Sequence, residues 1–286
     1  MTTVRTLVPR RPGRPRSRET GPVIISLRLL LCAAYAVPLL WILLTSFKSG
    51  ADVFGGKNPL VFIPTVEAYQ EAFTPALFEA LRQSLLIAGL ATAFVLAIAV
   101  PAAYALARIS GLVPTIGLGL LIVLQMIPQS ATVIPLFQVF SSAGLLDSLW
   151  SVVLADTALM TPFAIVLLRP FFRAVPVALE EAASVDGASG FRTFRSIVLP
   201  IVRNGAATTG TLVFLIVWGE FLYAINFFVT PGNYPLSALL AQQVSSFGVN
   251  WPGLMALGII TSIPILVLFL FSYRLLREGL TVGAVK

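Results

Sequence analysis

Six long apolar runs constrain this chain more than anything else in it: residues 23–44, 84–107, 112–135, 149–168, 206–229 and 253–273. A bilayer core about 30 Å thick takes roughly 20 residues of helix, so each run can cross it, and each is too long for an ordinary core helix. One such run could be the buried helix of a large soluble protein. Six in one chain, with few charges between them, could not. Composition agrees, because only 11% of the 286 residues are charged, whereas a soluble domain carries roughly a quarter. The expected fold class is an all-α integral membrane protein with six transmembrane helices.

Several kinds of chemistry are disfavoured at once. Histidine is absent and Cys32 is the one cysteine, which removes imidazole bases, histidine metal sites, internal disulfides and thiolate zinc clusters. No metal site is expected. The formal charge of +7 does not point to nucleic acid, because the basic residues fall between the apolar runs rather than over a folded surface.

Their placement reads instead as topology, since Lys and Arg collect in short cytoplasmic loops. With the N-terminus inside, Arg5, Arg10, Arg11, Arg14, Arg16, Arg18, Arg28, Arg108, Arg169, Arg173, Arg192, Arg195, Arg203, Arg274, Arg277 and Lys286 are cytoplasmic or at the inner boundary. Only Lys48, Lys57 and Arg82 then lie outside. Both termini are expected inside.

Residues 1–22, rich in Arg and Pro, read as a disordered cytoplasmic tail that meets anionic lipid or simply fixes orientation. Residues 23–286 read as the transmembrane domain. The first run is too long for a secretory signal and is expected to stay as an anchor. In the outer segment 45–83, Val66, Tyr69, Ala72 and Phe73 recur at helical spacing and predict a short amphipathic helix. The outer segment 230–252, with Gly232, Asn233, Tyr234 and Pro235, is expected to be a turn-rich loop.

The inner loop 169–204 is long enough to have a function of its own. Pro176 can start a helix, Glu180 and Glu181 favour its early turns, and Gly187 can end it. Ser189 can cap a second short helix with an apolar stripe of Phe191, Phe194, Ile197 and Val198, and Pro200 is expected to end that helix. Ala182 and Ala183 leave the first helix nearly bare on one side, where a partner can approach the backbone.

Glu181-Ala182-Ala183, Gly187, Ile197 and Leu199-Pro200 resemble the EAA loop of bacterial ABC importer permeases at each defining spacing. The segment Ala102-Ala103-Tyr104-Ala105-Leu106-Ala107-Arg108, the Trp218-Gly219-Glu220-Phe221-Leu222 stretch and the terminal Gly279-Leu280-Thr281-Val282-Gly283-Ala284-Val285-Lys286 are similar to the sugar-importer branch, in particular to its smaller, maltose-type permease. Gly219 stands where that branch more often has Asn, and the arginine-rich tail is longer than the family needs. The resemblance implies a multi-pass subunit of the bacterial cytoplasmic membrane that works with a second permease, two ATPase subunits and an extracytoplasmic solute-binding protein. It implies that ATP and Mg belong to the ATPases and that this chain, in contact with lipid and not with nucleic acid, binds no cofactor. It also implies that the inner loop is a cytoplasmic coupling loop, with Glu180, Glu181, Ala182, Ala183, Asp186, Gly187, Ile197, Leu199 and Pro200 coupling it to an ATPase.

Gly55-Gly56-Lys57 is not a phosphate loop, because Ala51 holds the place of the leading Gly and Asn58 that of the Mg-binding hydroxyl. Charged groups near the bilayer centre cost about 2.5–3.5 kcal/mol on insertion scales, so those present face a bundle interior or a wet cavity. Asp156 and Glu220 are such groups, and Gln125, Gln129 and Asn226 add neutral polar ones; all five are substrate-path candidates. Trp218, Phe221 and Tyr223 beside Glu220 suit stacking on a sugar face. These polar residues could equally bond between helices and hold the bundle together. A rival reading is an ion-coupled secondary transporter with Asp156 or Glu220 as proton carrier. A membrane-embedded hydrolase finds no nucleophile and base.

Overall fold

The computed structural model describes residues 21–55, 60–230, 232, 234–246 and 248–282, with backbone alone for 273–282. The tail 1–20, Lys57, Asn233 and the terminal residues through Lys286 lie outside the described residues. The chain divides into two compact units, Met1–Leu44 and Thr45–Lys286.

Helix α1 (Pro22–Ser46) starts in the first unit, where Val23, Leu27, Leu30, Tyr35 and Leu39 are exposed all round it. A helix apolar on every face is a membrane span rather than a surface helix. The second unit opens with α2 (Gly50–Gly55) and α3 (Glu67–Ala72). The long α4 (Pro75–Arg108) and α7 (Leu149–Ala174) follow, the latter after α5 (Leu112–Gln125) and α6 (Gln129–Ser142). Beyond α7 come α8 (Val177–Val185), α9 (Gly190–Thr193), a π-helical turn (Phe194–Val198), α10 (Leu199–Trp218), α11 (Leu222–Phe227) and α12 (Leu236–Ala241). A two-residue antiparallel hairpin, β1 (Val244–Ser245) with β2 (Gly248–Val249), precedes α13 (Trp251–Val282).

The core forms where α4 and α7 pack together. Ala88, Ala91, Val95, Ala99 and Ala103 lie along one face of α4 at helical spacing and are fully buried. Val152, Val153, Ala164, Leu168 and Phe172 on α7 are buried with them. Alanine lets helix backbones approach closely, which is how helices attract in lipid, where burial alone gives no drive. Helix α10 joins this pair through glycine: a Cβ on Gly205 would stand 2.5 Å from the Phe171 ring, and one on Gly210 would stand 2.9 Å from Leu96.

Five described helices are long and apolar enough to cross a membrane, and the pair α5 and α6, bent by 87° at its break, makes a sixth if it is counted as one span. The continuous span expected at 112–135 is thus two helices. Pro128 causes the break: it has no N–H to donate and it disfavours helical backbone at Ile127. Its own backbone is extended, and α6 starts at the next residue. The span expected at 206–229 also differs. Its helix runs from Leu199 to Trp218, stops at Gly219, and resumes as α11.

Pro200 does not end a short helix, since α9, the π turn and α10 run on as one 29-residue helix. In the π turn Leu199 donates to the carbonyl of Phe194, five residues back. Such a bulge widens the helix where the proline ring would otherwise meet the preceding turn. Helix α4 begins at Pro75, well before residue 84, with Thr74 as its cap. The segment 230–252 contains α12 and the hairpin rather than turns alone.

At the end of α7 remote from α8, Asp147 ties two connections together. It sits at φ 57°, a conformation that Asp tolerates better than most residues. Its Oδ1 accepts from the amides of Val229 and Thr230 at 2.7 Å each, its Oδ2 accepts from the Thr230 hydroxyl at 2.7 Å, and its own amide donates to Phe227. Burial pushes the carboxyl up, but these three donors outweigh it and hold the group below the ordinary aspartate value. A lowered value means that the charged form favours the folded clamp, so the stabilisation is present at neutral pH and is lost as pH falls through the lowered value. Amide exchange at Val229 and Thr230, corrected for intrinsic rate, is expected to stay slow down to about pH 4 and to speed up only below it. Asp147→Asn should keep the turn and abolish that acid response; an unchanged response in the variant would show that another group governs it.

Candidate functional site

Two places gather the polar residues picked out from the sequence. The first is the loop after α7. Helix α8 ends in a Schellman cap: Ala188 N–H donates to Ala183 and Gly187 N–H to Ser184, with Gly187 at φ +80°. That conformation is costly for any residue with a Cβ, most of all a branched one. Ser189 then accepts from the amide of Arg192 and starts α9.

One side of this loop is fixed to the bundle. Arg108, the last residue of α4, pairs with Glu180 on the first turn of α8 at 2.5 Å. It also donates to the carbonyls of Phe172 at 2.9 Å and Val175 at 3.2 Å, at the end of α7. The Tyr104 hydroxyl, one turn back on α4, donates to the other Glu180 oxygen at 2.6 Å. The Tyr104 ring packs against Phe172 and Phe194, with centroids 5.7 and 4.9 Å away. Glu180 therefore faces the bundle.

The other side is open. Glu181, Ala182, Asp186 and Gly187 are exposed, Val185 is 88% exposed and Phe191 is 72% exposed. Ala183 is buried, Ile197 and Leu199 are half-buried, and Pro200 is exposed. Of the apolar stripe read from the sequence, Phe194 and Val198 pack inward and Phe191 does not.

The second place lies at the two helix breaks. Glu220 follows the last turn of α10 and its carboxylate caps α11, with Oε1 2.7 Å from the amide of Tyr223 and Oε2 3.1 Å from that of Ala224. These are amides that the first turn of a helix leaves without partners. Gln129, the first residue of α6 after the other break, donates to Glu220 at 2.8 Å. Thr132 and Tyr223 share a further hydrogen bond of 2.6 Å between the same two helices.

A cavity of about 350 Å³ opens beside this junction, and Gln129, Asp156 and Glu220 all line it, with Leu159, Met160 and Phe221. A second, mostly apolar cavity of about 380 Å³ shares Gly219 and Phe221 with it. Asp156 is buried on α7, and its Oδ2 has no hydrogen-bond partner among the described residues. Gln125 is exposed at the end of α5, and Asn226 donates to the carbonyl of Leu222; neither lines the polar cavity. Trp218 donates its indole N–H to the carbonyl of Thr261 on α13, and Tyr223 is buried.

The sequence reading missed the inward pairing of Glu180, although Arg108 closes the very segment singled out at the end of the second run. Only an alternation between basic and acidic residues at matching membrane depth could have hinted at it.

Residues 97–282 match the protein family described as "Binding-protein-dependent transport system inner membrane component". The trehalose transport system permease protein SugB of Mycobacterium tuberculosis is 34% identical over 263 residues, which is 90% of this chain and 94% of that protein. The sulfoquinovosyl glycerol transport system permease protein SmoH of Agrobacterium fabrum is 32% identical over 253 residues, 87% of this chain and 88% of that protein. Among solved structures, a chain of a bacterial ABC transporter involved in the import of the acidic polysaccharide alginate superposes with a TM-score of 0.75 at 21% identity, covering 92% of this chain and 99% of that one. That likeness is one of fold.

The Arg108–Glu180 contact makes a separate forecast. A charge-assisted hydrogen bond contributes about 1.5–3 kcal/mol, so Glu180→Ala should raise amide exchange in α8 by roughly tenfold or more. Arg108→Glu alone should do the same, and combining it with Glu180→Arg should recover part of the protection. Equal exchange in the parent and both single variants would remove the contact as the fixture of α8.

Proposed function

The chain belongs to the family of binding-protein-dependent transport system inner membrane components, and from this we propose that it is one of two different permeases in an ATP-driven importer of a saccharide or saccharide-like solute. Relatives named for trehalose and for sulfoquinovosyl glycerol support the solute class. The inferred partners are a second permease, two cytoplasmic ATPase subunits that hold ATP and Mg, and an external solute-binding protein. Both termini face the cytoplasm on this reading, as does α8.

The observation that carries the coupling role is the two-sidedness of the loop after α7. Its outer side offers Ala182, Val185, Gly187 and Phe191 to a partner, while Arg108 and Tyr104 hold its inner side to α4 and α7. An ATPase that closes on ATP can move the permease only through contacts that differ between its two states. A loop fixed at its rear passes such a push to α4 and α7 instead of bending. Those helices form the core and, through Asp156, one wall of the polar cavity, so the same movement alters access to it. The rival proton-coupled transporter has no use for a docking loop of this kind.

Purification in mild detergent with identification of the co-purifying chains tests the assembly. Gly187→Val should remain in the membrane yet retain several-fold less ATPase, because a branched residue resists the left-handed backbone there by about 1–2 kcal/mol or more. Gly187→Asn should be nearly as good as the parent. Full ATPase retention with normal uptake in Gly187→Val would overturn the docking role. Orientation has its own check: a reporter fused after Lys286 should be active inside the cell, and one placed within residues 53–65 should be active outside.

A further inference from the structure

Gly219, between the end of α10 and the start of α11, is a glycine that nothing local requires. Its backbone, at φ −84° and ψ 0°, is that of the third residue of a type I turn, which most residues can adopt. Packing does not demand it either: a Cβ there would meet only the carbonyls of Leu215 and Ile216, each at 3.7 Å, in the turn that precedes it. Gly205 and Gly210 differ, because a Cβ on either would run into a side chain of another helix. Gly219 is exposed, and it lines both the cavity of about 350 Å³ and the one of about 380 Å³. What glycine supplies at this point is space, since a side chain would enter one cavity or the other.

The two cavities differ in kind. Gln129 and Glu220 give the first a polar wall. Glu220 is spent on the start of α11, but the Gln129 carboxamide makes a single hydrogen bond among the described residues, to Glu220. It keeps an oxygen and an N–H, which meet a sugar hydroxyl as donor and as acceptor. The second cavity is walled by Trp218, Phe221, Leu236, Leu240, Val244 and Ile265. Ser237 and Thr261 bring hydroxyls to it, and that of Thr261 donates to the carbonyl of Gly258. Such a wall favours an apolar group leaving water over a hydroxylated one. Each volume stands near the lower end of small-molecule sites, roughly 300–1,000 Å³, so a solute held in one cavity needs the other for any further group.

We propose that the two cavities form one subsite in two parts, joined at Gly219, for a glycoside that lays its sugar ring beside Gln129 and its apolar aglycone between α10, α12 and α13. Gly219 sets this preference, because a larger side chain closes the way between the parts. The subsite rests on the reading of the chain as a saccharide permease, and it narrows the solute to a saccharide that carries an aryl or alkyl group. A lipid acyl chain is the other apolar occupant to consider. The shared residues Gly219 and Phe221 favour the glycoside, since an acyl chain gains nothing from a polar cavity next door.

The test uses the whole importer in lipid nanodiscs, with its second permease and ATPases but without the binding protein, so that the binding protein's own preference cannot set the ranking. Equilibrium binding is measured for methyl β-glucoside and phenyl β-glucoside, with partition into nanodiscs that lack the importer subtracted. The phenyl glucoside is expected to bind about tenfold tighter, the gain from burying one aromatic ring. Gly219→Leu should bring that ratio close to one, and Gly219→Ala should give a value between. Equal binding of both glucosides by the parent, or binding of neither, overturns the subsite. So does a loss in Gly219→Leu that is the same for both glucosides, which would make position 219 a hinge rather than an opening. Mass spectrometry of the purified importer supplies the lipid arm: a stoichiometric lipid in the parent that Gly219→Leu lacks would give the apolar cavity to an acyl chain and overturn the proposal. If Gly219→Leu fails to assemble, the parent ratio and Gly219→Ala decide the matter. If a loaded binding protein still stimulates ATP hydrolysis while the parent ratio is flat, the subsite alone is wrong; if stimulation is absent as well, the permease reading falls with it.

Discussion

Within a bilayer every backbone N–H and C=O must find its partner inside the protein, and this chain has two helix breaks, at residues 126–128 and 219–221, in spite of that requirement. The breaks are possible because each supplies what the other lacks. Where α10 stops, Glu220 turns back to cap the amides of α11, and Gln129, standing at the start of α6 beyond Pro128, donates to the same carboxylate. Thr132 and Tyr223 repeat the linkage one turn on, and Phe140 against Phe227 seals it with an edge-to-face contact at 5.2 Å. The cavity is a by-product of that arrangement, since a helix that stops leaves unfilled volume on the side from which its next turn would have come.

The rest of the bundle is organised to keep this junction in place. The alanine face of α4 and the opposing face of α7 make a contact with little side-chain volume to rearrange. Two fixtures lie at opposite ends of α7. At one, Arg108 joins α4, the last turn of α7 and the first turn of α8. At the other, Asp147 joins the start of α7 to the residues that follow α11. The loop after α7 and the residues that follow α11 are thus both tied to the same helix, α7.

Hydropathy alone points to the long apolar helices, because apolar length is a local property. The same signal misjudged continuity. Gly219 and Glu220 carry no strong local stop, and a carboxylate within an apolar run is read as an intruder in a helix rather than as the cap of a new one. Pro128 was a visible breaker, but a proline in a membrane helix can equally leave a mild kink, and the outcome depends on whether a neighbour satisfies the freed groups. Pro200 shows the opposite error: it looked like a terminator, and a π turn carried the helix past it.

Sequence by itself determined the fold class, the loop with its Gly187 turn and the family, because each depends on composition, spacing or a single residue's backbone freedom. Tertiary structure decided which polar groups are spent and which are free. Glu180 and Glu181 are adjacent and chemically alike, yet one is bound by Arg108, 72 residues away, and the other is exposed. Glu220 and Asp156 looked equivalent as buried acids, yet Glu220 is consumed by a helix end and Asp156 keeps an oxygen with no partner among the described residues. The physical reason is that a hydrogen bond is fixed by atoms within about 3 Å of one another, and which atoms come that close is set by how distant helices pack, a quantity that no local pattern contains.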